Sequence, residues 1–153
     1  MTVLRQVLPG VAMAGLLALA GSAASDPADS NLAFPDAAIW DRLGSTQVVS
    51  DLKTGAYHAT HPASVTSLVG RPFKISGFLL PLETGQRTTH FIITRYPGSC
   101  PFCDPDNPNQ VVEVFTTKPV RNLEVEVTVT GMFSLQNNES AGLFFRLDKA
   151  DPS

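Results

Sequence analysis

The two cysteines of the chain, Cys100 and Cys103, lie in the stretch SCPFCDPDNPN, residues 99–109. Two thiols separated by two residues can exchange electrons as a dithiol/disulfide pair, bind a metal ion, or close a loop as a disulfide. A disulfide across so short a loop removes little chain entropy and tends to be strained. We therefore expect the pair to do more than stabilise the fold.

The residues that follow the cysteines argue against a thioredoxin-type oxidoreductase. In that fold the Cys-x-x-Cys motif opens a helix, whose N-terminus activates the first thiol. Here the run Asp-Pro-Asp-Asn-Pro-Asn, residues 104–109, is typical of turns and cannot begin a helix. No strand–helix–strand pattern surrounds the pair. A redox role without the thioredoxin fold stays open as an alternative.

A soft-metal site is the favoured interpretation of the cysteine pair. Thiolates on a turn supply half of a site for Zn²⁺ or Cu⁺, and imidazole nitrogens suit the same metals. The chain has three histidines, which are His58, His61 and His90. His58 and His61 share one face if their segment is helical, and His90 begins the strand that leads into the cysteine loop. The predicted ligands are Cys100 and Cys103 with His90 and with His58 or His61.

Other catalytic patterns are missing from the sequence. Neither Gly-x-Ser-x-Gly nor His-Glu-x-x-His occurs. Ser99 has no identifiable base, and Glu83 and Glu113 are interpreted as ordinary surface carboxylates. Thiol chemistry apart, we expect a binding protein rather than an enzyme.

The charge balance excludes nucleic acid as a partner. The chain has 153 residues, with 11 Lys and Arg against 14 Asp and Glu, so the net charge is −3. No basic run occurs, and affinity for the phosphate backbone needs one. Anionic membrane surfaces are disfavoured for the same reason.

The N-terminus predicts export. Arg5 precedes an apolar run of ten residues, VAMAGLLALA at 11–20, and Ser22 and Ala24 give the small-x-small cleavage pattern. The run is too short to span a bilayer. We expect residues 1–24 to be a signal peptide cleaved near Ala24, residues 25–35 to be a flexible leader, and the mature protein to be periplasmic with no membrane span.

A short helix is predicted before the main domain. Residues 36–43 (DAAIWDRL) begin with Asp36 as a potential N-cap and are followed by Gly44 as a stop signal. Trp40 and Leu43 would share the apolar face, and Trp40 is interpreted as a core residue. Residues 46–52 are expected to be a short extended or helical piece, residues 57–62 a loop, and residues 63–68 a single helical turn.

From Gly70 onward the apolar residues alternate with a period of two, which predicts strands. Gly77 and Gly131 interrupt the two longest strands, as at a bulge or bend. We predict a mainly β fold, a small five-stranded antiparallel OB-like barrel with a short N-terminal helix, as one domain over residues 36–150. A small open sandwich is the alternative. The five predicted strands are residues 73–82, 90–94, 111–117, 123–135 and 143–147.

Three stretches together resemble a family of small exported bacterial proteins of unknown function. They are GRPFKISGFLLPLE (70–83), HFIITRYPGSCPFC (90–103) and PNQVVEVF (108–115). The resemblance implies an OB-like barrel, a periplasmic or lipid-anchored location, and for some members an accessory role in metal uptake or export. Many relatives carry Cys-x-His in the loop, which favours metal binding over redox chemistry. The residues that match the shared pattern are Pro81, Leu82, Glu83, Cys100, Pro108, Asn109 and Gln110.

These observations predict a periplasmic accessory protein that binds zinc or copper and hands it to a protein partner in a metal-transport or envelope system. Two alternatives remain at this point. One is a periplasmic thiol/disulfide redox protein, and the other is a non-catalytic interaction module with a closed disulfide loop.

Overall fold

The computed structural model of the chain describes residues 36–100 and 107–153. The predicted signal peptide (1–24), the predicted leader (25–35) and Cys103 lie outside the described residues. The helices and strands, in chain order, are α1 (Ala37–Gly44), β1 (Gln47–Ser50), β2 (Tyr57–Thr60), α2 (Ala63–Thr66), β3 (Pro72–Pro81), β4 (Arg87–Thr94), β5 (Val111–Arg121), β6 (Glu126–Asn138) and β7 (Leu143–Pro152).

Strands β3 to β7 form one sheet in the order β3-β4-β5-β7-β6, which closes because β6 also pairs with β3. The prediction of a mainly β fold with a short N-terminal helix is confirmed. The prediction that all strands are antiparallel is wrong, because β5 and β7 are parallel. A ring of five strands cannot alternate direction all the way round, so closure with an odd number requires at least one parallel pair.

A separate two-stranded sheet precedes the five strands. β1 and β2 are antiparallel, with Val48 opposite Ala59, and their turn contains Gly55 at φ 72°. Residues 57–62 were expected as a loop, which is wrong for β2, whereas the extended option for residues 46–52 is confirmed by β1. Half-buried Val48, Tyr57 and Ala59 pack against the main core, so the hairpin is attached through its apolar side.

The core lies inside the closed sheet, where alternate residues of each strand point. It continues under α1, because Trp40 and Leu43 are fully buried, as the sequence predicted for Trp40. The fully or almost fully buried strand residues include Ile75, Leu79, Phe91, Ile93, Val112, Val114, Val129, Phe133, Phe145 and Leu147.

Helix α1 completes one edge of β3. β3 pairs with β6 over Pro72–Phe78 but with β4 only from Phe78 onward, so Ser76 has no strand partner on the β4 side. There the Ser76 N–H donates to Oδ2 of Asp36 (2.6 Å), and Trp40 Nε1 donates to the Ser76 carbonyl oxygen (2.9 Å). Asp36 makes no side-chain cap bond to its own helix. Its predicted capping role is therefore wrong, because its carboxylate holds β3 instead.

Among the residues that the structure describes, no helix is long and apolar enough to cross a membrane.

Candidate functional site

The cysteine loop rises from a fixed stem between β4 and β5. Thr94 and Val111 are the last register pair of the two strands, and the Arg95 N–H donates to the Gln110 carbonyl oxygen at 3.1 Å. A turn precedes the first cysteine, since the Cys100 N–H donates to the Pro97 carbonyl oxygen at 3.0 Å. Cys100 is disulfide-bonded rather than a free thiol.

The stem is held by α1 and the segment after it. Arg95 Nη2 lies 2.8 Å from Oδ1 of Asp41 in an ion pair. Asn109 Nδ2 donates to the carbonyl oxygens of Gly44 and Thr46, both at 3.3 Å. Asn109 belongs to the 3₁₀ turn Pro108–Gln110, which is part of the pattern that the family resemblance singled out. These residues therefore fix the position of the loop's second end.

Two cavities meet at the foot of the cysteine loop. A small one of about 60 Å³ is lined by Phe78, Leu80, Thr94, Pro97 and Ser99, among others. A larger one of about 250 Å³ is lined by Tyr57, Leu80, Ile92, Thr94, Pro108 and Leu143, among others. Leu80 and Thr94 line both, so the two cavities are neighbours at the stem of the loop. We call this surface the loop groove.

Polar atoms in the loop stem are left without partners. Of the four buried side-chain polar atoms that lack a hydrogen bond among the described residues, three are Arg95 Nε, Asn109 Oδ1 and Gln110 Oε1. Buried polar atoms are nearly always paired with protein or with ordered water. The stem therefore carries hydrogen-bonding capacity that water or a bound partner would fill.

His90 belongs to a side-chain cluster on the outer face of the sheet. Its Nε2 lies 2.8 Å from Oε1 of Glu113, and Gln136 Nε2 donates to the other Glu113 oxygen at 2.8 Å. The imidazole stacks on Phe115 with ring centroids 4.2 Å apart. The Glu113 side chain is only 11 % exposed, so its interpretation as a surface carboxylate is wrong. We call His90, Glu113, Phe115 and Gln136 the His90 cluster.

Arg146 extends this cluster on the far side of Phe115. Its guanidinium carbon lies 4.1 Å from the centre of the Phe115 ring, while Nε and Nη2 bind Oδ1 of Asp148 at 2.8 and 2.7 Å. Strand β5 lies between β4 and β7, which places Phe115 between the imidazole and the guanidinium. Sequence reasoning missed Arg146, and its one signal is a charged residue inside the apolar run LFFRL.

The other two histidines lie apart from each other. His58 lies in strand β2 and His61 directly follows its last residue, Thr60, so the two do not share the face that helical spacing would give them. His58 pairs with Glu139, with Nδ1 3.0 Å from Oε1. His61 contacts Thr46 Oγ1 at 3.2 Å and packs against the rings of Phe144 and Phe145. Burial lowers the pKa of the His61 imidazole below its usual value.

The predicted metal ligands are not gathered within the described part of the chain. Across residues 36–100 and 107–153, no three His, Cys, Asp or Glu side chains are grouped so that they could hold a metal ion. His90 precedes Thr94, at the end of β4, by four residues, about 13 Å along a strand. A ligand set that includes Cys103 stays a prediction.

The family of the chain follows from its sequence match over residues 29–145, which fit DUF3299, a protein family of unknown function. The chain belongs to the DUF3299 family. A crystal structure of a DUF3299 protein from Pseudomonas aeruginosa PAO1 is similar to it, with 30% identity and a TM-score of 0.50. That similarity covers 63% of this chain and 68% of the other. No curated protein matches the chain significantly. The predicted membership of an uncharacterised family is confirmed, and the DUF3299 match includes the loop groove and the His90 cluster.

Proposed function

We propose that this DUF3299 protein is an exported accessory protein of the cell envelope that binds a protein partner in the loop groove. The observation that carries the proposal is the groove itself, with Leu80 and Thr94 lining both cavities beneath a loop whose two ends are fixed. In this proposal Cys100 and Cys103 are joined to each other as a disulfide that keeps the loop closed. The periplasmic location rests on the signal-peptide pattern of residues 1–24.

The chemistry of the loop groove suits a protein partner. Leu80, which lines both cavities, is 40% exposed, and the loop stem carries the partnerless polar atoms of Arg95, Asn109 and Gln110. Protein interfaces combine an apolar centre with polar groups that find partners on binding. We also assign the closed sheet to the OB type, in which the face of the second and third strands is a usual binding surface. Here those strands are β4 and β5, and the cysteine loop joins them.

A photo-crosslinking experiment tests this proposal. The protein is expressed with its signal peptide in the bacterium that naturally produces it, with benzoylphenylalanine at position 80. We expect irradiation to give one discrete cross-linked product. The matched control is position 49, because Val49 is 66% exposed but lies on β1 outside the loop groove. Cys100→Ser is expected to lower the yield at position 80, since an open loop no longer shapes the groove. No product at position 80, or the same product from both positions, would contradict the proposal.

Soft-metal handling is the second candidate, and the His90 cluster is the observation that favours it. Histidines that bind metals usually place their other ring nitrogen against a carboxylate, as His90 does with Glu113. Among the described residues no hydrogen bond reaches His90 Nδ1. In this proposal reduced Cys100 and Cys103 supply thiolates for Zn²⁺ or Cu⁺, and a transport system receives the metal. The redox alternative has no separate observation in its favour.

The metal proposal predicts that the reduced protein binds Zn²⁺ or Cu⁺ and that Cys100→Ser/Cys103→Ser abolishes binding. Glu113→Gln removes the carboxylate behind His90 and is expected to weaken binding about tenfold. Glu126→Gln is the matched control for Glu113→Gln, because Glu126 is an exposed carboxylate on β6 outside the His90 cluster. Isothermal titration with each metal in the presence of a reductant measures these affinities. Equal binding by the wild type and the double variant would rule the proposal out.

A further inference from the structure

Two arginines face each other across β4 and β5 at the end of the sheet away from the cysteine loop. Arg87 and Arg121 are direct register partners, and both are exposed. Like charges directly opposite each other on neighbouring strands destabilise a sheet. In a chain with a net charge of −3, this pair is a local concentration of positive charge to which an anion would be attracted.

The two arginines line a concave surface. A cavity of about 500 Å³ is bounded by Gly85, Gln86, Arg87, Arg121, Asn122 and Leu123. It shares no lining residue with the two cavities of the loop groove. The space between the arginines is therefore a pocket of its own.

Asn122, one of the residues that line this pocket, holds the surrounding backbone in place through its hydrogen bonds. Its Nδ2 donates to the carbonyl oxygens of Glu83 (2.9 Å) and Gly85 (2.7 Å), and its backbone N–H donates to the Gln86 carbonyl oxygen at 3.0 Å. These bonds tie the β3–β4 loop to the end of β5. The arginines consequently project from a preorganised corner.

Most of the guanidinium donors are unused. Within the part of the chain that the structure describes, neither Arg87 nor Arg121 makes an ion pair, and Arg87 uses Nη1 for one bond to the Pro119 carbonyl oxygen at 3.1 Å. The nearby Glu83 carboxylate accepts the Thr88 hydroxyl instead, at 3.0 Å. Planar guanidinium groups bind carboxylate and phosphate oxygens in pairs.

We propose that Arg87 and Arg121 form a binding site for a small oxyanion, a phosphate or a carboxylate, that bridges the two guanidinium groups. The site is separate from the loop groove and from the His90 cluster. The protein would then bind a small anion here in addition to the protein partner proposed for the loop groove.

The test is a titration of the full protein with inorganic phosphate, and in a second arm with citrate, at constant ionic strength. Amide chemical shifts in ¹H–¹⁵N NMR spectra are expected to move at residues 85–87 and 121–123. Arg87→Gln and Arg121→Gln should each weaken the response at least about tenfold. Arg71→Gln is the matched control, because Arg71 is another exposed arginine that does not line this pocket. No response to either anion, or an equal loss in all three variants, would overturn the proposal.

Thermal unfolding gives an independent readout. In a buffer free of oxyanions, Arg121→Gln is expected to be at least as stable as the wild type, because it removes the repulsion. Phosphate should raise the Tm of the wild type but not that of Arg121→Gln. Destabilisation by Arg121→Gln with no phosphate effect on the wild type would overturn the proposal. Binding of the protein to phosphatidylglycerol vesicles, with no response to free phosphate or citrate, would also overturn the proposal.

Discussion

Replacing Trp40 with alanine is expected to lower the free energy of unfolding by about 4 kcal/mol. Trp40 is fully buried, and its indole fills the space between α1 and β3. The substitution also removes the Nε1–H that binds the Ser76 carbonyl oxygen, which leaves a buried acceptor unpaired. Urea unfolding followed by circular dichroism measures the change, since Trp40 is the only tryptophan and its fluorescence is lost with it.

Two further variants distinguish the loss of the ring from the loss of its hydrogen bond and provide an exposed control. Trp40→Phe keeps most of the ring but removes the donor, and it is expected to cost about 1–3 kcal/mol. Leu52→Ala changes a side chain that is 94% exposed, and its effect should stay within about 0.5 kcal/mol. A loss below about 1 kcal/mol for Trp40→Ala would show that the docking of α1 contributes little to the fold. Because α1 also holds the loop stem through Asp41 and Gly44, Trp40→Ala should additionally loosen the loop groove.

Gly77→Ala is expected to cost more than about 3 kcal/mol, at the upper end of overpacking effects. A Cβ at this position would lie 2.6 Å from the Thr94 carbonyl oxygen and 3.0 Å from the Trp40 ring, and would overlap Cγ2 of Ile93. One of these atoms is backbone, so relief requires β3 to move away from β4. The expected result is a large drop in Tm and a low yield of soluble protein.

Gly44→Ala is the matched control for this substitution. No atom lies within 4 Å of a Cβ built at Gly44, and its φ is not positive. At the end of α1 alanine is the better helix former, so the variant should be neutral or up to about 1 kcal/mol more stable. If Gly77→Ala and Gly44→Ala have the same stability, close packing is not the reason for the glycine in β3.

The strands were predictable from sequence because alternation is a local property. Val125, Val127 and Val129 repeat with a period of two, and the structure places Val127 and Val129 in β6. Which strands are neighbours is not local, so the parallel pairing of β5 with β7 was missed even though closing five strands demands one such pair. Gly77 illustrates the same limit. The sequence predicted a bulge or bend at Gly77 and at Gly131. The register of β6 with β7 does shift at Gly131, whereas none shifts at Gly77, where the reason for glycine is close contact with Trp40, 37 positions earlier.

The chemistry of the site was predicted less well than the fold. The cysteine pair directed attention to the loop, and the structure shows that the loop has a fixed stem and a groove at its foot. The histidines were grouped by their spacing along the chain, but His58 and His61 have separate partners in the structure. Glu113 was missed because a carboxylate is ordinarily exposed. Its burial depends on His90 and Gln136, which come from two other strands.

The hydrogen bonds at Ser76 show that the edge of β3 is covered by residues that precede the closed sheet in the chain. An unpaired strand edge is a template for another chain, and Asp36 and Trp40 bind the donor and acceptor of β3 that no strand pairs with at this point. A fragment that began at Gly70 would keep all five strands of the closed sheet but lose this cover. Its β3 would then offer a free edge to a second molecule. Helix α1 thus covers an open part of the β3 edge as well as supporting the loop.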